Sequence, residues 1–570
     1  MLTLVAALWL GCAPSPATLA PGPAPPSPPV AAAPRPALVV LVVVDQMRAS
    51  YLERFADAWP KDQGMHRLLD RGVRFDHAVI EHAWTNTGPG HATLVTGVHP
   101  SRHGVVLNHW YEPTLGREIT LAEDPQVALV GTPAIAGAPG RSPFQLEREA
   151  VGDWLKAQSP ESQVLTIAAK PRASIMMGGK RPDDAYWYEP DAGALASSTY
   201  YAATGAVIES PAILEAGLLG GWRPIAQPEV YKALAGPDRV DSEAEGAASV
   251  FPYRFVRDPG KVTVREREAY NRRVRFTPFT DALTLEFALD ELERRGLGAD
   301  EHPDLLLLGF SAGDYIGHAF GPDSHELVDY FLRLDGFIGR LLERLDEQVG
   351  RDRYALVLTS DHGVMSMPEI LRARGQGLQR QAFRWLADDY RAAVSEAVLT
   401  VLSQMGLPPT GLRHVNGYGV WLDPSLAKLH GIDRRVLLDV VARAVRALPH
   451  VEDVFTATEL DPDEQGGLHN ARPWIIEYRR SFFRGRSPDL AIRFGPWVLA
   501  DAEARGTDHG SPYMHDAHIP LVIVRPGVPA GVVGERVSMV DVAPTLAALL
   551  GIRAPADLDG QSLLERPVTR

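Results

Sequence analysis

Apolar residues in this chain fall into short unbroken runs separated by longer amphipathic stretches. Ala37–Val44 is a continuous aliphatic and β-branched run, and similar runs recur at Asp304–Phe310, Tyr354–Thr359 and Ile519–Val524. A strand that is apolar at every position is buried on both faces, as in a parallel sheet. Helical periodicity lies between the runs, as at Thr280–Arg294 and Leu327–Leu345. Strands alternating with helices predict an α/β layered sandwich around a mostly parallel central sheet. Val537–Ile552 reads as a closing helix, with Pro544 near its first turn and Gly551 after its end.

Two regions break the alternation. Residues 190–275 are rich in Gly, Pro, aromatic and charged residues, and residues 376–490 carry helices of their own. Both read as insertions, or a cap, on a catalytic domain spanning 37–570. Residues 1–36 are different in kind. Leu2–Leu10 is apolar but far short of the roughly 20 residues that span a membrane, and it fits a secretory segment. Gly11-Cys12 resembles a bacterial lipoprotein cleavage site. Export is expected, to the periplasm or to the outer membrane through a tether on lipidated Cys12. The Pro/Ala-rich stretch 13–36 reads as an extended linker.

Composition narrows the chemistry. The formal charge is −14, so nucleic acid is not an expected partner. Cys12 is the one cysteine, which excludes disulfides and thiolate metal sites from the folded part. Any metal must be held by His, Asp and Glu, which favours zinc, manganese or magnesium. A monomer is expected.

The informative residues follow the apolar runs. Asp45 follows the first. Asp314 and His318 follow the second after a short loop, Asp361-His362 follow the third, and His509 precedes the last. Ligands of open α/β sheets bind beyond the carboxyl ends of the strands, where residues distant in sequence converge. Singly, an Asp after a strand is more often a cap or turn former. Together, three carboxylates and three imidazoles suit two adjacent metal ions.

Two further segments carry chemistry. Thr87 precedes Gly88-Pro89, where a helix is expected to begin, so its hydroxyl would face unpaired N–H groups and the positive end of the helix dipole. Alone, Thr87 could be merely a cap; a metal could make it a nucleophile. Lys170-Pro-Arg172 follows the apolar run Val164–Ala169. It is either a solvated basic turn or a pair of cations for phosphate oxygens.

These residues resemble the alkaline phosphatase superfamily. The motifs are Val-Val-Asp45-Gln-Met-Arg, Thr87-Gly-Pro-Gly-His91, Thr96-Gly-Val-His-Pro-Ser-Arg-His-Gly104, Asp314…His318, Asp361-His362-Gly and His509-Gly-Ser. They are most similar to its phosphate-irrepressible, threonine-nucleophile branch, over about Ala37 to Leu564. The resemblance implies two zinc ions, one held by Asp314, His318 and His509, the other by Asp45, Asp361, His362 and the nucleophile Thr87. It implies that Asn108 contacts a phosphoryl oxygen, and that Lys170 and Arg172 mark phosphomonoesterases. Related nucleotide pyrophosphatase/phosphodiesterases generally lack that basic pair. Zinc-dependent hydrolysis of small phosphate monoesters through a phosphothreonine is therefore the expected activity. Phosphodiester hydrolysis on the same scaffold is the nearest rival, and a non-catalytic zinc-binding protein a remoter one. His82, His91, His99, His103, His109, His515 and His518 are expected to be structural or to support the ligands.

Overall fold

The computed structural model describes residues 35–131, 135, 138–201, 212–244, 249–463 and 472–569. The segment read as secretory, Cys12 and nearly all of the Pro/Ala-rich stretch lie outside them. Among the described residues, no helix is long and apolar enough to cross a membrane.

A twelve-stranded sheet forms the centre. Leu38–Val44 lies between Asp304–Phe310 and Tyr354–Thr359, parallel to both, and Val164–Ala168 adds in parallel beyond Asp304–Phe310. All seven residues of Leu38–Val44 are buried, as a strand covered on both faces must be. Its side chains alternate. Leu38, Val40, Val42 and Val44 join one apolar cluster with Leu334 and Ile338 of the helix His325–Leu345. Val39, Leu41 and Val43 join a second cluster with Leu94 of Thr87–Thr96 and Leu546 of Val542–Leu550. The result is an α/β layered sandwich with helices on both faces of a mixed, mostly parallel sheet.

Two segments differ from the pattern reading. The run Ile519–Val524 is split by Pro520 into His518–Ile519 and Leu521–Val524, and the latter runs antiparallel to Tyr354–Thr359. Pro520 has no N–H for a ladder, and its carbonyl accepts a hydrogen bond from Thr359 Oγ1 instead. The closing helix begins only at Val542. Gly531–Ser538 before it is a strand paired in parallel with Gly72–Val79. Pro544 sits in the helix's first turn, and Gly551 caps its end at φ 66°.

Within 190–275, Ala194–Ser198 still belongs to the main sheet, and the helices Ala212–Gly220, Pro228–Leu234 and Val264–Arg273 follow. Residues 412–494 contribute a separate four-stranded sheet, covered by Ala387–Gln404 and Arg434–Arg446. Residues of this sheet pack with Trp84 in one cluster, beside the start of the Thr87 helix.

Candidate active site

Four neighbouring parallel strands end level with one another, so their carboxyl ends deliver residues to one place. Val44 pairs with Phe310 and Val43 with Thr359, and the Asp45 N–H donates to Phe310 O at 2.9 Å. Asp45, Asp314, Asp361-His362 and Lys170 therefore emerge side by side, all but fully buried. The loop before Leu521–Val524 brings His509 to the same point, and Asp314 and His318 lie one turn apart on the helix Ala312–Phe320.

Thr87 is the first residue of its helix and fully buried. It is not the cap. Asn86 holds that position, yet its side chain makes no capping bond; Tyr418 OH donates to Asn86 Oδ1 at 3.0 Å. Thr87 Oγ1 lies 3.4 Å from His362 Nε2 and 3.3 Å from Lys170 Nζ. The Gly88 N–H donates to Asn108 Oδ1 at 2.8 Å, which fixes that amide and leaves its NH₂ as the free donor. Gly88 is tightly placed: a Cβ there would meet Leu121 Cδ2 at 2.1 Å and Asn108 Oδ1 at 3.3 Å.

The imidazoles share one orientation. His318, His362 and His509 each direct Nδ1 at a backbone carbonyl, of Thr507, Gly363 and Thr85, at 2.8, 2.9 and 2.7 Å. Such a bond selects the Nδ1–H tautomer and turns the Nε2 lone pair inward. Asp314 Oδ1 lies 3.2 Å from His318 Nε2, 3.4 Å from His509 Nε2 and 3.9 Å from His362 Nε2. His362 Nε2 is also 3.3 Å from Asp361 Oδ2 and 3.5 Å from Asp45 Oδ1. Lone pairs facing lone pairs need a cation between them.

The carboxylates point the same way. Both Asp45 oxygens, Asp314 Oδ2 and Asp361 Oδ2 are buried, and besides the inward-facing imidazoles they meet only Lys170 and His91 among the described residues. Ligand atoms gather within 4.8 Å in three sets: Asp45, Asp361, His362; Asp314, His362, His509; and His318, Asp508, His509. The donor set of carboxylate oxygens and imidazole nitrogens fits two zinc-like dications. The first set has the membership expected for one metal; the three residues expected for the other are divided between the second and third sets, which also take in His362 and Asp508.

Electrostatics agree with this arrangement. Burial, Asp361 and Asp314 push Asp45 well above the usual carboxylate range against the pull of Lys170. For Asp314, burial acts upward, but His318, Lys170 and His509 hold the carboxyl well below that range. Burial and Asp361 act oppositely on His362, and burial wins, lowering it to about 3. Three buried carboxylates face one buried ammonium, an excess of negative charge suited to cations.

Lys170 and Arg172 part company. Lys170 Nζ stands 2.7 Å from Asp45 Oδ2 and 2.5 Å from Asp314 Oδ2, so the ammonium is engaged by two carboxylates of the ligand set. Arg172 makes no ion pair among the described residues, and its buried Nε has no hydrogen-bond partner. It is the freer of the two cations.

Sequence reasoning left several supports unweighed. Gln46 adopts φ 68°, donates Nε2–H to Asp314 Oδ1 at 3.0 Å and N–H to Asp361 Oδ1 at 3.2 Å, and so ties two ligands together. His91 Nδ1 lies 2.9 Å from Thr87 O and 3.2 Å from Asp361 Oδ2, the supporting place expected for it. Gln46 lies within the Asp45 motif and Asp508 adjoins His509, which was the available signal. Tyr418 had none.

The fold and this ligand-rich site define a class. The sequence profile of the type I phosphodiesterase / nucleotide pyrophosphatase family matches residues 39–406, and the chain belongs to that family. Within it the chain falls in the alkaline phosphatase branch of enzymes. Alkaline phosphatase PafA of Elizabethkingia meningoseptica is 28% identical over 94% of this chain and 95% of its own length. The crystal structure of PafA superposes with a TM-score of 0.82, covering 94% of this chain and 99% of that one. Alkaline phosphatase PhoK of Sphingomonas sp. is 30% identical over 94% of this chain and 92% of its own length. A solved PafA variant, 26% identical with a TM-score of 0.81, is substituted at a threonine, an asparagine, a lysine and an arginine. Those four residues have the order and spacing of Thr87, Asn108, Lys170 and Arg172.

Proposed function

We propose that this protein hydrolyses small phosphate monoesters with two zinc ions, forms a covalent phosphothreonine at Thr87 and releases inorganic phosphate. The observation that carries the reading is a buried threonine hydroxyl at a helix start, 3.4 Å from the His362 imidazole, which belongs to two of the three Asp/His clusters. The names of PafA and PhoK, both alkaline phosphatases, support it.

Asp45, Asp361 and His362 would hold one ion beside Thr87; Asp314, His318 and His509 would hold the other. Bound there, the ions supply Lewis acidity that acidifies the Thr87 hydroxyl and a water and offsets charge on the leaving oxygen. Thr87 Oγ attacks phosphorus in line, the ester oxygen departs on the opposite face, and water then cleaves the phosphothreonine. The helix start gives Thr87 a positive field, and the Asn108 NH₂ and Arg172 guanidinium donate to the non-bridging oxygens. A monoester dianion carries one more charge than a diester, so Arg172 favours monoesters.

The family also includes phosphodiesterases, so the ratio of kcat/KM for an aryl phosphate and its methyl diester decides between the two activities. Metal analysis alongside that assay tests the zinc reading: about two zinc per chain with monoester turnover is expected. A metal-free, fully active protein refutes it. We read residues 190–275 and 376–490 as insertions shaping the mouth of the site, and the protein as an exported monomer tethered through Cys12.

A further inference from the structure

The residue before Thr87 is oriented from outside its own helix. Asn86 caps Thr87–Thr96, and a cap side chain ordinarily accepts from the second or third N–H of its helix. Neither donor is on offer here. The Gly88 N–H goes to Asn108 Oδ1, and Pro89 has no N–H. Asn86 is 2% exposed, and its Oδ1 accepts from the Tyr418 hydroxyl at 3.0 Å instead.

Tyr418 is itself held in place. It lies in the short turn between the paired strands Leu412–Asn416 and Gly419–Leu422. The Gly417 N–H donates to Asp501 Oδ2 at 2.9 Å, the Tyr418 N–H donates to Asn416 Oδ1 at 3.0 Å, and the Tyr418 carbonyl accepts from the Ile492 N–H at 3.1 Å. The Tyr418 and Trp84 rings meet edge to face at 6.2 Å. Burial raises the phenol well above its ordinary range, so it remains a donor at alkaline pH.

The same tyrosine touches the loop that carries His509. Gly510, at φ 114°, comes so close that a Cβ there would meet Tyr418 Oη at 2.9 Å and Asn86 Nδ2 at 3.1 Å. Thr85 joins the two segments directly: His509 Nδ1 lies 2.7 Å from its carbonyl, and its Oγ1 donates to Ser511 O at 2.9 Å. Residues 85–86 are thus fastened to residues 509–511, and Tyr418, brought by the separate sheet, contacts both sides of the join.

We propose that Tyr418 is a positioning residue for the nucleophile: by holding Asn86 it fixes the backbone that aims Thr87 Oγ1 at phosphorus. The role rests on the phosphothreonine reading of Thr87 and adds to it a control exerted from within the inserted region 376–490. Asn86 is bonded directly to Thr87, so its release shifts the hydroxyl, and a displacement of about 1 Å at a reacting group costs on the order of 100-fold in rate.

The test uses the zinc-loaded full chain and Tyr418→Phe, which removes the hydroxyl and keeps the ring. Its kcat/KM for phenyl phosphate, which reports attack by Thr87, should fall roughly 10- to 100-fold while zinc content stays unchanged. Orthovanadate copies five-coordinate phosphorus and needs the aimed hydroxyl, so it should bind more weakly by a similar factor; inorganic phosphate should bind within about 3-fold of wild type. Asn86→Ala should reproduce these losses, and the double variant should be no slower than either single one, because both changes remove the same bond. A Tyr418→Phe enzyme within about 2-fold of wild type in kcat/KM, or losses that multiply in the double variant, overturns the positioning role and leaves the monoesterase reading standing. Equal weakening of vanadate and phosphate binding also overturns it. A wild-type chain that does not turn over phenyl phosphate overturns the monoesterase reading instead, and the vanadate comparison then still decides the role of Tyr418.

Discussion

Replacing Arg172 with alanine should separate substrate recognition from stability. Arg172 has no ion pair among the described residues, and its buried Nε lacks a hydrogen-bond partner, so its removal orphans no carboxylate. Its contribution should appear only with substrate, as one charge-assisted hydrogen bond to a phosphoryl oxygen. Such bonds contribute about 1.5–3 kcal/mol, which corresponds to roughly a 10- to 150-fold loss in kcat/KM for an aryl phosphate. The matching methyl diester should lose clearly less, and Tm should stay within a degree or two. Lys170→Ala is the contrast: it removes the ammonium from between Asp45 and Asp314, leaving buried charge uncompensated. Loss of a buried partner costs about 3–5 kcal/mol, so metal-free Lys170→Ala should melt well below the parent. Steady-state kinetics on both esters and thermal melts of both variants read this out. Equal losses on monoester and diester, or a large Tm drop in Arg172→Ala, would refute the assignment of Arg172 to the substrate.

Three further outcomes are expected. Gly88→Ala should lower kcat/KM through displacement of Asn108 and cost about 1–3 kcal/mol of stability, since its Cβ would lie 2.1 Å from Leu121 Cδ2; melts and kinetics check both. Asp281 accepts from Ser311 N, Ala312 N and Tyr330 OH, and burial raises it to about 7 against these bonds. A raised carboxyl stabilises the fold fully below its unfolded pKa near 4 and loses that stabilisation as pH rises through 7, about 4 kcal/mol in all. Denaturant unfolding of wild type and Asp281→Asn at pH 4 and pH 8 should show this slope in wild type only; parallel slopes contradict it. Chelation should lower Tm and abolish turnover, with both restored by added zinc, because three buried carboxylates would otherwise share one ammonium.

Much of the site was readable because strand ends convert distance in sequence into proximity. Asp45, Asp361 and His362 follow fully apolar runs, and those runs are adjacent parallel strands ending level. The Gly88-Pro89 signal located the helix start to within one residue, because proline's fixed φ and missing N–H suit a first turn; the helix begins at Thr87 and Asn86 takes the cap position. What the pattern hid was side-chain reach and cross-chain pairing. Lys170 follows its strand as expected, yet its long side chain turns to Asp45 and Asp314. Gln46 acts through a left-handed backbone that its residue type does not announce. Tyr418 arrives from a separate sheet more than three hundred residues away in sequence from Asn86, beyond any local signal. Gly531–Ser538 forms a strand although exposed Gly534, Glu535 and Arg536 interrupt its apolar face, since pairing with Gly72–Val79 supplies what patterning does not.

The central claim is that Thr87 itself carries the phosphoryl group. Rapid acid quench of the zinc-loaded enzyme with phosphate ester, followed by peptide mass spectrometry, tests it most directly. A phosphorylated Thr87 in the peptide containing Thr85–Thr96, absent from Thr87→Ala of unchanged zinc content, is the predicted result. Full turnover in Thr87→Ala, or phosphate trapped on a different residue, would contradict it.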